Sequence, residues 1–407
     1  MTPTDGPADR LGTQDGAVAA VPRRSRRIVG LDAARGLALI GMISIHVLPE
    51  ITEAGEPTLI WEIGSGISAA LFTFLAGVSL ALMTGGNKPV TGEALAAKRV
   101  GIAIRAVVLI VIGLMLAILD PPAGIILTYY GVMFLMAIPL LGAPAPMIAT
   151  VAGVFALAGT LFIHLVGNAM PNLDGYDPSL GSLVAQPDGT IAALLVTGTY
   201  PVLAWSAFLF AGLAVGRFNL TLRDTHLRLM VVGLTMALAT WLVSWLSIEV
   251  LGGFDRVLAT TPGLTEDELV RSLTWGLEFT TPDINSGWWL LMLSPYSETP
   301  VEVLNTLGWA LACLGAMLWL GQRIGQWLRP LALVGSMTLT LYVVHLIFLA
   351  TGLLQETPYI SFWLQLSLAL LFVVLWRNVT ERSQGPLEWM TTTASTAGQR
   401  WYRSRKS

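Results

Sequence analysis

The sequence predicts an all-α integral membrane protein, a polytopic bundle of about ten transmembrane helices with both termini in the cytoplasm. Three observations predict this fold class. Hydrophobic residues make up 54% of the 407 residues and charged residues only 12%, against roughly 25% charged in an ordinary soluble domain. The apolar residues are gathered into runs of about 20, the length that crosses a hydrocarbon core. The basic residues also collect on alternate connections between these runs, as cytoplasmic loops require.

The chain is predicted to have three parts. Residues 1–27, which are rich in Gly, Pro and Asp and close with PRRSRR, have no apolar core and predict a disordered cytoplasmic tail. They are not expected to be a cleavable signal peptide, because the apolar stretch that follows is too long and contains Asp32 and Arg35. Residues 28–376 are the predicted transmembrane domain, and residues 377–407 are a predicted basic cytoplasmic tail.

Ten apolar runs are long enough to be membrane helices. They lie at about residues 28–48, 59–84, 101–119, 122–141, 146–166, 199–217, 228–249, 304–321, 330–354 and 359–376. Gly212 and Gly216, in the sixth run, form a GxxxG pair that permits close helix contact. A long outer loop, about 250–303, precedes the eighth run, and the spacing of Thr265 and Glu268 predicts a short helix there with a capping box.

The charges orient this arrangement. Of the 23 Lys and Arg residues, 19 fall in the tails and loops on one side of the ten helices, while only Arg256 and Arg271 fall on the other side. Acidic residues such as Glu50 and Asp177 lie on the side that is poor in Lys and Arg. The positive-inside rule therefore predicts cytoplasmic termini and a multi-pass protein of the plasma (inner) membrane.

Asp32, Arg35 and Arg105 lie inside predicted helices, near their cytoplasmic side. An ionisable side chain at membrane depth costs several kcal/mol unless it is paired or lines a water-filled cavity, so each one marks a candidate site. Asp32 and Arg35 are one helical turn apart and can pair on one face. Two interpretations stay open: a structural ion pair with a snorkelling arginine, or two guanidinium groups that hold a phosphorylated ligand in an inner vestibule.

His46 and His345 are predicted at matched depth near the outer side, whereas His226 is predicted on the surface, in an inner loop. His46 lies about 18 residues into the first helix, about 27 Å from its cytoplasmic start, and His345 lies about 16 residues into the ninth. One interpretation is a buried imidazole that is hydrogen-bonded to a neighbouring helix. The other is a general base or an acyl-carrying nucleophile, because the pKa of histidine lies near working pH.

Other chemistries are excluded by what the sequence lacks. The single cysteine, Cys313, cannot form an intramolecular disulfide, and no spacing of ligands indicates a metal site. The sequence contains no nucleophile elbow, Walker loop, HExxH motif or dinucleotide fingerprint. No pattern indicates nucleic-acid binding.

Two stretches resemble known families. The opening RRIVGLDAARGLALIGMISIHVLPE and the following GSGISAALFTFLAGVSLAL resemble the start of the heparan-alpha-glucosaminide N-acetyltransferase catalytic-domain family, in which R-x-x-x-x-D-x-x-R-G precedes F-x-F-x-x-G. The residues that match are Arg27, Asp32, Arg35, Gly36, Phe72, Phe74 and Gly77. The second half, with RPLALVGSMTLTLYVVHLIF and QGPLEW, is similar to the YeiB-like bacterial membrane proteins, which share a G-P-L-E-W ending, here residues 385–389.

The resemblance implies a transmembrane acyltransferase that takes an acetyl group from cytosolic acetyl-CoA, or another acyl-CoA, to an extracytoplasmic glycan or lipid acceptor. Asp32, Arg35 and Arg105 would then face the donor, and His46 would be the base or acyl carrier. His345 and Tyr296 would assist at the acceptor side. Tyr296, in SPYSETP, stands where related bacterial chains are expected to have the histidine of P-H-S-G-T, and a tyrosine titrates at much higher pH.

Two other functions fit the same residues. A transporter or exporter of a small amphiphile would also place polar residues at both faces, and it would be favoured by repeated halves with broken helices. A structural or sensory membrane protein without catalysis is the third interpretation. The sequence leaves open whether the chain forms a homo-oligomer.

Overall fold

The computed structural model describes residues 28–276 and 286–405. These residues form α-helices joined by short 3₁₀ and π turns, without a β-strand. The α-helices in chain order are α1 (Val29–Val47), α2 (Leu59–Gly64), α3 (Ile67–Met83), α4 (Gly92–Leu116), α5 (Ile126–Ala137), α6 (Ala145–Val154), α7 (Thr160–Val166), α8 (Leu180–Ala185), α9 (Pro187–Ala192), α10 (Val202–Val215), α11 (Arg223–Trp245), α12 (Gly253–Thr260), α13 (Glu266–Trp275), α14 (Pro300–Ile324), α15 (Arg329–Val334), α16 (Thr338–Ala350), α17 (Pro358–Thr380) and α18 (Pro386–Ser404).

Within the described residues, seven helical stretches are long and apolar enough to cross a membrane. An eighth is added if the pair Pro187–Thr197 and Val202–Val215, bent by 49°, is one span, and Ile126–Gly142 and Thr338–Ala350 are shorter apolar helices. Each of the ten predicted segments coincides with one of these stretches. The polytopic all-α fold class is therefore confirmed, while ten crossings and cytoplasmic termini stay predictions.

The two ends of the bundle differ in charge. The end at which α1 begins is rich in Lys and Arg and is called the basic end. The end at which α1 terminates is called the acidic end. The predicted tail 1–27 lies outside the described residues.

Glycines bring the central helices into close contact. A side chain on Gly77 would collide with the backbone carbonyl of Leu209, and one on Gly212 with that of Phe74, so α3 and α10 cross nearly backbone to backbone. This confirms the packing role that the GxxxG pair predicts. Gly233 of α11 and Gly308 of α14 form a second contact of this kind, each facing the other's backbone oxygen.

The long connection before α14 has a small core of its own. Thr265 begins α13 with the predicted capping box, since its hydroxyl accepts from the backbone N–H of Glu268, and Glu268 accepts in return from the backbone N–H of Thr265. The buried apolar residues of this core are Ile248, Val257, Leu269, Trp289 and Met292. This cluster holds the connection as a folded cap on the acidic end.

The chain after α17 returns to the bundle as a helix. Much of the segment predicted as a basic tail forms α18, which packs along α4: Gly398 faces Ile104, and Gly101 faces Ser395 and Gln399. The G-P-L-E-W segment thereby reaches the start of α16, where the backbone N–H of Leu387 donates to Thr340.

Candidate functional site

The two predicted histidines lie in direct contact. His46, one residue before the end of α1, places its Nδ1 atom 3.0 Å from Nε2 of His345 on α16. The ring planes differ by only 6° and the centroids are 5.3 Å apart. Parallel planes with so short an N···N distance describe two imidazoles joined edge to edge by a hydrogen bond. The prediction that they share a depth is confirmed.

A glutamine orients this pair. Nδ1 of His345 lies 2.6 Å from the side-chain oxygen of Gln365 on α17, and the amide nitrogen of Gln365 donates to the hydroxyl of Ser361 at 3.1 Å. Because an amide oxygen only accepts, it selects the His345 tautomer with hydrogen on Nδ1. Nε2 of His345 then accepts from Nδ1–H of His46, which leaves the lone pair on Nε2 of His46 for a reactant.

Helix α1 separates this pair from the charged residues of the basic end. Its first turns lie against α15, where Gly335 faces the carbonyl of Asp32 and Gly36 faces that of Leu331. From Arg35 to His46 the helix rises about 16 Å. One straight helix therefore connects both groups of predicted site residues.

At the basic end, Asp32 and Arg35 form an ion pair with 2.9 Å between carboxylate and guanidinium. The guanidinium of Arg35 also donates to the hydroxyl of Ser79 on α3 at 2.6 Å. The Arg35 side chain is still 24% exposed. The pairing that their spacing permits is therefore present, and it holds the guanidinium in one position at the mouth of the bundle.

Arg105 on α4 lies within electrostatic range of both Arg35 and Glu388. Its Nε atom is buried, and no described residue accepts a hydrogen bond from it. Two guanidinium groups from different helices are therefore within electrostatic range of each other at the basic end. Such a pair is suited to a ligand that carries several negative oxygens.

Glu388 of the G-P-L-E-W segment connects the two ends of the site. Its carboxylate accepts from the backbone N–H groups of Leu339 and Thr340, at 2.7 and 3.2 Å, and from the Thr340 hydroxyl at 2.6 Å. These are the first N–H groups of α16, so Glu388 caps the helix that carries His345. The same carboxylate lies within electrostatic range of Arg105.

Tyr296 lies in the loop before α14, where its ring lies against that of Trp61. It borders Gly66 and is in electrostatic range of Glu50 and Glu302, and burial raises its pKa to about 12. The loop is strained, because Tyr296 and Glu298 have φ values of 54° and 47°, which side chains disfavour. At neutral pH Tyr296 is a hydrogen-bond donor rather than a base.

The remaining histidines lie elsewhere. His164 is buried near the acidic end of α7, beside the backbone of Ser297 and Glu298. His226 is fully buried on α11 and bonds to the carbonyl of Leu220, so the prediction that it lies on the surface is wrong. No group of three metal-ligating side chains occurs among the residues that the structure describes.

Sequence reasoning missed three residues that set this geometry: Ser79, Gln365 and the capping role of Glu388. Ser79 and Gln365 are uncharged, and a search for ionisable groups at membrane depth passes over them. Gln365 is nevertheless a polar side chain in an apolar helix that needs a partner, and this signal could have indicated it. The partners of Glu388 lie 48 and 49 residues away in the chain, so no local pattern identifies them.

Comparison with known protein families gives a match. The family described as heparan-alpha-glucosaminide N-acetyltransferase, catalytic, matches residues 27–248, which is more than half of the 407 residues. The match covers α1 with both groups of site residues on it, and Arg105 of α4, but ends before α14, α16 and α18. No curated protein matches the chain.

Proposed function

The chain belongs to the heparan-alpha-glucosaminide N-acetyltransferase catalytic family, and we propose that it is a membrane-embedded acyltransferase that moves an acetyl group from cytosolic acetyl-CoA to an extracytoplasmic sugar, lipid or cell-wall acceptor. The basic end would face the cytoplasm of the cell and the membrane would be the plasma (inner) membrane. The observation that carries the proposal is the oriented pair of His46 and His345, about 16 Å along α1 from Arg35.

The donor would bind at the basic end. Arg35 and Arg105 supply two guanidinium groups from different helices, which suits the phosphate groups of coenzyme A. Asp32 and Ser79 fix the orientation of Arg35. Coenzyme A carries its thioester at the end of a long, flexible arm, so its phosphates can stay at Arg35 while the acetyl group reaches towards His46.

The transfer itself needs a base at the acceptor. A hydroxyl or amine of the acceptor attacks the thioester carbonyl carbon, a C–O or C–N bond forms, and the C–S bond breaks. Nε2 of His46 takes the proton from the acceptor and returns it to the departing thiolate, so that the histidine ends the cycle neutral.

A covalent route uses the same atom. Nε2 of His46 attacks the thioester carbonyl carbon and the C–S bond breaks. The thiolate of coenzyme A leaves, and the acetyl group stays bound to the imidazole. The acceptor then attacks that acetyl group, its C–N bond to His46 breaks, and the acceptor proton leaves to the thiolate or to water. In both routes His345 shares the positive charge through its hydrogen bond to His46.

The test uses purified protein, radiolabelled acetyl-CoA and a lipid or glycan extract. We expect label in an extractable product, and label on the protein if the route is covalent. Absence of any labelled product or protein, together with no thermal shift on addition of coenzyme A, would overturn the proposal. If vesicles that contain the protein export a small amphiphile without acetylating it, the transporter interpretation is favoured.

A further inference from the structure

The acidic end contains a second polar feature that the proposed chemistry does not use. A cleft of about 730 Å³ opens between α11, α14 and the junction of α2 with α3. Its lining is divided into an apolar wall and a polar floor. The wall includes Leu238, Trp241 and Trp309, and the floor includes Glu302, Asn305 and Thr306.

The floor has hydrogen-bond acceptors without donors. Thr306 donates to one carboxyl oxygen of Glu302 at 2.9 Å, and the amide nitrogen of Asn305 donates to the carbonyl of Ala237 at 2.8 Å. No described residue donates to the other carboxyl oxygen of Glu302 or to the side-chain oxygen of Asn305. Both residues are buried and one helical turn apart. Both residues line the cleft, so its floor can accept hydrogen bonds from a ligand rich in O–H or N–H groups.

The wall faces outward from the bundle. Trp241 and Leu238 of α11 are 49% and 64% exposed, and Trp309 of α14 is 44% exposed. Trp241 lies about 27 Å along α11 from its basic-end start, in the half of the membrane near the acidic end. Exposed tryptophans at this depth face lipid and its head groups, so the cleft opens to the leaflet at the acidic end.

Charge selects the head group. The described residues that line the cleft include Glu62 and Glu302 and no Lys or Arg. An anionic phosphate head would place negative oxygens against these carboxyl groups, which is unfavourable where the dielectric is low. A glycosyl head is uncharged or carries an amine, and its hydroxyl or amino hydrogens match the free acceptors.

The floor of the cleft lies close to the turn of α1 that carries His46. Gly66, at the junction of α2 and α3, adopts a φ of +72°, and a Cβ there would lie 3.5 Å from the carboxyl oxygen of Glu302. On the other side of this junction, Gly64 packs against the side chain of Ile45, the residue before His46. The junction therefore contacts both the floor of the cleft and the residue that precedes His46.

We infer that this cleft binds a glycolipid, with the glycosyl head on Glu302 and Asn305 and the lipid chain along Trp241 and Trp309. The identity of this lipid as the acyl acceptor rests on the proposed function. Binding itself does not, and the two are tested separately.

Binding is tested with the full chain in nanodiscs and a glucosyl-diacylglycerol that carries a diazirine in one acyl chain. We expect photolabelling of α11 and α14, about tenfold more than with the same lipid whose sugar hydroxyls are methylated, because methylation removes the donors. Glu302→Ala and Trp241→Ala should lower labelling about tenfold. Trp363→Ala is the matched control, since Trp363 is also exposed and lies in a shallow pocket on α17.

Equal labelling by the glucosyl and methylated lipids would overturn the inference, and that comparison needs no variant that might misfold. Equal labelling by a phosphatidylglycerol probe, or equal loss in Trp241→Ala and Trp363→Ala, would overturn it too. Radiolabelled acetyl-CoA is then added. Cleft labelling without any acetylated product contradicts the proposed function alone, while acetylation of water-soluble methyl glucoside without cleft labelling contradicts the cleft alone.

Discussion

The basic end and the acidic end of helix α1 use polar residues in opposite ways. At the basic end, Asp32, Arg35, Arg105 and Glu388 are charged, and each interacts with another charged group. At the acidic end, His46 and His345 are joined to each other and to a neutral glutamine. Charged, paired groups bind anions, whereas neutral, oriented imidazoles accept and pass on protons.

The difference predicts that binding and transfer can be separated by single substitutions. Changes at the basic end should act on donor affinity, and changes at the histidine pair should act on the chemical step.

Replacing His46 with asparagine should lower acyl transfer by about 10²–10⁴-fold, because it removes the atom that takes the acceptor proton. The thermal shift caused by coenzyme A should be unchanged. Ser44→Ala is the control, since Ser44 lies on the same helix and its hydroxyl donates to the carbonyl of Ile40. A normal rate of acyl transfer by the His46→Asn protein would contradict the assignment of the chemical step to the histidine pair.

Replacing Arg105 with glutamine should weaken coenzyme A binding by about 10–100-fold, since it removes a charge-assisted hydrogen-bond donor. The transfer rate at saturating acetyl-CoA should change little. Arg35→Gln should behave in the same way. Arg99→Gln is the control, since Arg99 lies earlier on α4 and donates to the carbonyl of Pro139. Equal weakening of coenzyme A binding by both substitutions would indicate that only the total positive charge matters, and not a site at Arg105.

Replacing Gln365 with leucine should lower kcat about tenfold with little change in KM, because His345 loses the acceptor that selects its tautomer. A positioning role also requires a changed pH–rate profile. Ser367→Ala, on an exposed face of the same helix, should change neither quantity. A lower thermal stability with an unchanged profile would indicate that Gln365 only supports packing.

Replacing Glu388 with alanine should lower stability by about 1 kcal/mol, the usual loss for a helix cap. The measurement is the thermal midpoint in detergent, with exposed Glu381→Ala as the control. Because Glu388 lies between Arg105 and the helix of His345, coenzyme A affinity should fall as well. An unchanged midpoint would show that the cap is dispensable.

The smallest effect concerns a loop at the acidic end. Burial raises the pKa of Asp177 from 3.8 to about 7. An acid with a raised folded-state pKa favours the folded state when protonated, so stability should fall as pH rises from about 4 to 7 and then level off. The Asp177→Asn protein should lack this part of the pH dependence of the thermal midpoint. If its pH dependence equals that of the unchanged protein, the raised pKa of Asp177 is contradicted.

The predicted helices were accurate because a membrane helix is a local feature. Each apolar run satisfies its own backbone hydrogen bonds, and every one of the ten runs coincides with a helical stretch. The predicted surface position of His226 was wrong because burial depends on what α11 packs against. The packing role of Gly233 and Gly308 was likewise not identified, since it depends on which helix each glycine contacts.

The sequence alone determined the all-α membrane fold, the spacing that allows Asp32 and Arg35 to pair, and the matched depth of His46 and His345. These follow from helical rise, spacing and the cost of charge in lipid, all of which act along one helix. The tertiary structure decided that the histidines touch, that Gln365 orients them and that Glu388 caps α16. These contacts join residues far apart in the chain, and the rotation of each helix about its axis is set by packing against its neighbours.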